Sequence, residues 1–269
     1  MGDFVVGIPS YDRAKELNKK TLTMLQENNI SKNIITVFGT DYKIVVGVKG
    51  MSNIRNFMTN YYPSGKKILF IDDDVSRIVK GEPSGMKITK VTNLKTLVSN
   101  GFNACKKHGY HLWGLHPSSN PRSLKSSNLV TNNLKYIIGA LYGVINDKSI
   151  KVSLDQAEDY ERTLKYYIKY GGVIRFNNYS GYTTYYAKGG MEAAGRTSSK
   201  EDSDKKDLAR KYSDYAETYT RPNGRTEIRL KGKERDEEWK IYFKKKEVFE
   251  KKIWWQKEKK SKKKSIKNG

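Results

Sequence analysis

Cysteine is almost absent from this chain. Cys105 stands alone among 269 residues, so no intrachain disulfide can form, and no Cys/His spacing of a zinc site occurs. No apolar run approaches the roughly 18 residues that cross a bilayer, and no charged-then-apolar leader is present. These absences predict a cytoplasmic protein with no stable membrane insertion. Histidine is also scarce: His108, His111 and His116 are the only three, and none follows. Their HxxHxxxxH spacing lacks the acidic support that a metal site needs. Gly47 and Gly50 lack the spacing of a Walker or dinucleotide loop, and the Lys-Ser/Thr that should follow is missing. No Ser-His-Asp set can be read.

Negative charge is the next scarcity. Only 29 Asp and Glu stand against 52 Lys and Arg, a formal charge of +23. Such an excess favours a polyanionic partner, with nucleic acid first and an anionic membrane second. The apolar share of 36% still suffices for one large α/β domain, or one domain with an appendage. A mean hydropathy of −0.77 makes the surface very polar. Nineteen tyrosines and four tryptophans are many for such a chain. They serve either as stacking surfaces for bases and sugars or as core and interface filler.

What is present is organised around Lys66–Val75. Four apolar residues, Ile68 to Ile71, follow Gly65 and end in Asp72, Asp73 and Asp74. The run predicts a buried strand that delivers carboxylates to the carboxyl edge of a sheet, where ligands of open α/β sheets bind. Clustered carboxylates repel one another unless a cation sits among them. Hard cations such as Mg²⁺ or Mn²⁺ take oxygen ligands and bridge to phosphates. A solvated acidic turn is the alternative.

Around this strand the chain alternates. Strands are expected at Phe4–Ile8 (halted by Pro9), Ile34–Phe38, Lys43–Val46, Tyr110–Leu115, Val173–Phe176 and Thr226–Leu230. Helices are expected over Arg13–Asn28, Ser52–Tyr62, 93–107, Gln156–Tyr170 and 201–216. Residues 80–92 and the polar stretch His116–Asn133 read as loops, and Leu134–Ile145 as apolar and β-like. The alternation predicts a mostly parallel sheet flanked by helices, in a Rossmann-like domain over residues 1–231. From 232 to 269 the composition shifts. Trp239, Tyr242, Phe243, Phe249, Ile253 and Trp254 fall near helical spacing, then Lys257–Lys267 carries seven lysines. This segment reads as an aromatic, Lys-rich helix with a disordered basic tail that binds phosphates without sequence choice.

A second carboxylate pair, Glu158-Asp159, opens the helix after Gln156, where acids also suit a helix start. An α/β sheet could bring both clusters to one edge, one holding metal and phosphates and the other acting as general base or orienting an acceptor hydroxyl. Arg13 and Arg55 offer planar donor forks for phosphate or nucleobase.

The ordered set Ile8-Pro9-Ser10-Tyr11-Asp12-Arg13, Arg55-Asn56, Ile71-Asp72-Asp73-Asp74 and Glu158-Asp159 resembles the GT-A type nucleotide-sugar glycosyltransferases over about residues 3–195. More narrowly, Trp113–Asn120, Glu158–Arg162 and Lys188-Gly189-Gly190 resemble the TET/JBP-associated glycosyltransferases, many of them from bacteriophages. The resemblance implies a GT-A-like sheet and transfer of a sugar, glucose from UDP-glucose, to the hydroxyl of a hydroxymethylated pyrimidine in DNA. It places Asp72 and Asp74 around Mn²⁺ or Mg²⁺, with Asp73 between. Pro9, Tyr11, Arg13 and Asp41 fall near the nucleotide, and Arg55 near ribose or diphosphate. Asp159 becomes the base, with Glu158 beside it. Trp113, His116, Asn120, Lys188, Gly189 and Gly190 fall on the acceptor side. The late histidine that many GT-A enzymes use as a metal ligand is missing. If the chain is viral, its location is the host cytoplasm. The alternatives are a transferase acting on protein or glycan, and an inactive GT-A-fold protein that binds nucleic acid.

Overall fold

The computed structural model describes residues 4–39, 45–125, 127–183 and 197–231. All of them belong to one compact unit, Met1–Glu234. The aromatic and Lys-rich segment expected to be helical lies outside the described residues.

The chain opens with β1 (Val5–Pro9), then α1 (Ala14–Leu17), a π-helical turn (Asn18–Leu22) and α2 (Thr23–Glu27). The single helix expected here therefore contains one wide turn, a feature frequent at functional sites. Leu17, Thr21, Met24 and Leu25 share its buried side. A 3-10 turn (Lys32–Ile34) enters β2 (Ile35–Gly39), followed by β3 (Val45–Val46) and α3 (Met51–Tyr61). Next come β4 (Lys67–Ile71), β5 (Arg77–Gly81), β6 (Ile88–Lys90) and α4 (Leu94–His108). Helix α4 starts where Asn93 accepts from the Thr96 amide at 3.0 Å, and stops at left-handed Gly109, φ +68°. Then follow β7 (Leu112–Leu115), α5 (Pro121–Leu124), β8 (Val130–Thr131), β9 (Leu141–Ile145), α6 (Glu158–Tyr170), β10 (Ile174–Phe176), β11 (Tyr179–Tyr182), α7 (Ser198–Lys211), β12 (Ala216–Thr220) and β13 (Thr226–Leu230).

Eight strands form the central sheet in the order β3-β2-β1-β4-β9-β7-β10-β8. The pairs β3–β2, β2–β1, β1–β4 and β7–β10 are parallel, whereas β9 and β8 run against their neighbours. The fold is therefore α/β with a mostly parallel central sheet, as expected. Helices cover both faces. Ile68 and Phe70 of β4 pack with Met58 of α3 and with Leu112 and Tyr166 on one face. Leu69 and Ile71 alternate to the other, and Trp113 of β7 meets Phe102 of α4 there, ring centroids 5.7 Å apart. A three-stranded sheet, β11-β5-β6, and the β12–β13 hairpin complete the described part.

Four expectations need correction. The loop expected at 80–92 carries the end of β5 and all of β6, because β5 pairs with β11 about a hundred residues away (Arg77↔Tyr182, Lys80↔Tyr179). The loop at 116–133 contains α5 and β8. Leu134–Ile145 is a strand only from Leu141, and just before it the Ala140 carbonyl accepts from the Asp72 amide at 2.9 Å. The last helix ends at Lys211, and Ala216 already pairs with Leu230 in a hairpin.

Candidate active site

Strand β1 leads to β2 and β3 on one side, whereas β4 lies on its other side, so the strand order reverses between β1 and β4. Crevices of open α/β sheets form outside the strand ends at such a reversal. The residues that leave β1 (Ser10 to Arg13) and β4 (Asp72 to Asp74) meet at this point. Ser10 Oγ donates to Asp73 Oδ2 at 2.9 Å. Arg13 places Nη1 3.1 Å from Asp73 Oδ1 and Nη2 3.1 Å from Asp74 Oδ2. Buried Thr21 fixes the turn from below: its hydroxyl donates to the Asp72 carbonyl at 2.7 Å and accepts from the Val75 amide at 3.0 Å. Sequence reading missed Thr21, although its position four residues after Leu17 on the apolar side was a usable signal.

Arg55, on α3, joins the two carboxylate clusters. Its Nη2 lies 2.7 Å from Asp72 Oδ1, and its Nε lies 3.2 Å from Glu158 Oε1. Arg162, one turn along α6, pairs with Glu158 Oε2 and stacks its guanidinium 3.7 Å from the Tyr142 ring centroid. Both Glu158 oxygens are thus engaged and the side chain is 7% exposed. Glu158 faces the guanidinium groups of Arg55 and Arg162. It positions Arg55 and, through it, Asp72.

Asp159, one residue on, has a different set of partners. Its Oδ2 accepts from the Tyr136 hydroxyl and from the Gly139 amide at 3.2 Å, and its Oδ1 accepts from the Tyr160 amide at 2.9 Å. Tyr136 stacks on Tyr160 with ring centroids 4.0 Å apart. Tyr136 and Gly139 sit in the stretch read as β-like, so sequence reasoning overlooked both. Burial raises the Asp159 carboxyl above its usual range, and neighbouring Glu158 adds to that. Burial likewise raises Asp72, against the pull of Arg55, and pushes Asp73 up to about 7, against Arg13 and Ser10.

The expected nucleotide-side residues are partly assembled. Pro9 ends β1, Tyr11 lies beside Lys49 (5.5 Å from ring centroid to Nζ), and Arg13 and Arg55 hold the Asp cluster. Asp41 lies outside the described residues, as do Lys188, Gly189 and Gly190. On the acceptor side, His116 follows β7 at the same carboxyl edge, with Nδ1 3.1 Å from the Ser118 amide, and burial lowers its pKa. Asn120 caps α5, accepting from the Arg122 amide at 3.0 Å. Trp113 is a correction: its side chain is fully buried. It pairs across the sheet with Gly143 and lies against Gly101 of α4, where added Cβ atoms would come within 2.0 Å and 2.3 Å of the indole. The two glycines make the slot for a core residue, so no base can stack on it. The three histidines do not converge: His108 stacks on Tyr110, His111 on Tyr170, and His116 binds Ser118.

No three metal-ligating side chains gather among the described residues. Asp72 and Asp74 nevertheless keep one oxygen each, Oδ2 and Oδ1, outside their ion pairs with Arg55 and Arg13. Two such oxygens fit a Mg²⁺-type ion held by one or two carboxylates and completed by ligand phosphates.

Fold and site together define an α/β protein with an acidic, arginine-laced cluster at the strand reversal of its sheet. No family model and no curated protein matches the chain. Among solved structures, the crystal structure of S. aureus TarS 1-349 is similar, with a TM-score of 0.45 and 16% identity over 67% of this chain. The match spans 59% of that chain's length.

Proposed function

We propose that this chain is a metal-dependent glycosyltransferase that carries glucose from UDP-glucose to the hydroxymethyl oxygen of a modified pyrimidine in DNA. The observation that supports this most is the Arg55 bridge, which sets the strand-end carboxylates Asp72–Asp74 and the helix-start Glu158-Asp159 on one edge of the sheet. A donor diphosphate and an acceptor hydroxyl would then meet over that edge. Tyr11 and Arg13 flank the nucleotide side, where the guanidinium offers donors to the base or ribose. Asp72 and Asp74 would hold the cation, which would supply positive charge to the departing diphosphate.

Asp159 is the general base for direct displacement. As the acceptor oxygen bonds to the anomeric carbon and the carbon–diphosphate bond breaks, the hydroxyl proton passes to the Asp159 carboxylate. Tyr136 and the Gly139 amide hold that carboxylate in place. The charge of +23 supports a polynucleotide acceptor, because transfer between small molecules needs no such excess. The target base must leave its stack to reach the crevice, by flipping or in single strands.

The test is incubation with Mn²⁺, UDP-glucose and DNA carrying 5-hydroxymethylcytosine or 5-hydroxymethyluracil, followed by mass spectrometry of the digested nucleosides. A hexose added to one nucleoside, absent with Asp72→Asn or Asp74→Asn, is the expected result. UDP-glucose hydrolysis without addition to either DNA would keep the transferase and remove the acceptor assignment. Neither addition nor nucleotide binding would remove the donor.

A further inference from the structure

Strand β11 ties the acceptor side of the site to the turn that carries the carboxylates. At its start the Tyr179 carbonyl accepts from the His116 amide at 2.8 Å, just past the end of β7. At its end the Tyr182 carbonyl accepts from the Ser76 amide at 3.0 Å and from the Ser76 hydroxyl at 3.1 Å. Ser76 lies two residues after Asp74. Between these ties β11 pairs with β5, with Arg77 opposite Tyr182 and Val79 opposite Ser180. Ile78, Val79 and Ser180 are buried, so the backbone beside the Arg77–Tyr182 pair is held on both strands.

The pair itself faces water. Tyr182 is 39% exposed, Arg77 is exposed as well, and its guanidinium lies 4.1 Å from the Tyr182 ring centroid. Among the described residues no carboxylate pairs with Arg77. A lone exposed tyrosine would be unremarkable. Here a planar cation rests on the ring, and the backbone of both residues is fixed within three positions of Asp74. Aromatic rings and arginine planes are the surfaces on which unpaired bases stack, and the positive charge suits the phosphates on either side of such a base.

We propose that the Arg77–Tyr182 pair is a stacking platform for an unpaired DNA base next to the one that enters the crevice. The proposal deepens the functional reading above and rests on its polynucleotide acceptor. Every base has a π-face, so the platform holds the strand without reading its sequence and leaves the choice of target to the crevice. Tyr182 is a positioning residue in this scheme: it fixes the strand, and the strand carries the hydroxyl to the carboxylates.

The experiment measures binding of the full chain, by fluorescence anisotropy, to two fluorescein-labelled single strands of about twelve nucleotides. One is oligothymidylate, and the other is an abasic strand with the same phosphates. A base stacked on an aromatic ring adds about five- to a hundredfold in affinity. Tyr182→Ala is expected to weaken oligothymidylate binding about tenfold and to leave the abasic strand near wild type, which also shows that the variant folds. Tyr182→Phe keeps the ring and is expected to bind both strands as wild type does. Tyr61→Ala removes another exposed tyrosine from the far end of α3, at the opposite edge of the sheet, and is expected to change neither affinity. Equal losses on both strands in Tyr182→Ala overturn the proposal, as does no loss on either, or an equal loss in Tyr61→Ala. UDP-glucose binding, followed in parallel by calorimetry, separates the two readings. A Tyr182 effect without donor binding removes the transferase alone, whereas donor binding without a Tyr182 effect removes the platform alone.

Discussion

Arg55→Met should be the most informative single change. The wild-type guanidinium is 5% exposed and serves Asp72 and Glu158 at once. Methionine matches its length but leaves Asp72 without that partner, whereas Glu158 keeps Arg162. Removing one member of a buried ion pair costs about 3–5 kcal/mol. Asp72 is 29% exposed and can turn partly to water, so the lower end, about 3 kcal/mol, applies. With a urea dependence of about 2–3 kcal/mol per molar, the unfolding midpoint should fall by about 1–1.5 M. Arg55→Lys keeps the charge but has no fork, and one ammonium cannot reproduce both the Nε and Nη2 contacts, so its midpoint should fall between the other two. Far-UV circular dichroism across a urea series reads all three. If both variants unfold within about 0.2 M of wild type, Arg55 does not hold the two clusters together, and the central argument for the site fails.

Other expectations follow from the same contacts. Tyr136→Phe removes a hydrogen bond to the Asp159 carboxylate, an interaction of about 1.5–3 kcal/mol, so the acid limb of the pH–rate profile should move up by about 1–2 pH units. An unmoved limb would mean that Asp159 is not the titrating base. Asp73, raised to about 7 in the folded state, binds its proton more tightly there than in the unfolded chain. It therefore favours folding at low pH and loses that contribution as pH rises from about 4 through 7, by up to about 4 kcal/mol. Asp73→Asn should flatten melting temperature against pH over that window. Gly143→Ala forces a methyl against the Trp113 indole, and overpacking of this kind costs about 1–3 kcal/mol, readable as a lower melting temperature. Asp74→Asn should abolish Mn²⁺-dependent binding of UDP-glucose in calorimetry while shifting the melting temperature by only a few degrees.

Much of the fold was legible because local patterns sufficed. The apolar run Ile68–Ile71, the β-branched run before Phe38 and the helical spacing of Leu94, Leu97, Val98 and Phe102 each name their own element. The same patterns carried Asp72–Asp74 to a strand end and Glu158-Asp159 to a helix start, where the structure has them. The β12–β13 hairpin was half seen, since only its second strand was expected, and the pairing of β5 with β11 over about a hundred residues stayed hidden. No window of sequence shows a partner a hundred residues away.

The side chains divide in the same way. Sequence by itself determined the residue types and their order: an acidic strand end, an acidic helix start, arginines between them and a large positive charge. Tertiary structure alone decided what each of them faces. It set Glu158 against two arginines and Asp159 against Tyr136, although they are neighbours, because successive helix positions differ by about 100° in direction. It also made Trp113 core, because two glycines from distant elements leave a slot that only the folded packing creates.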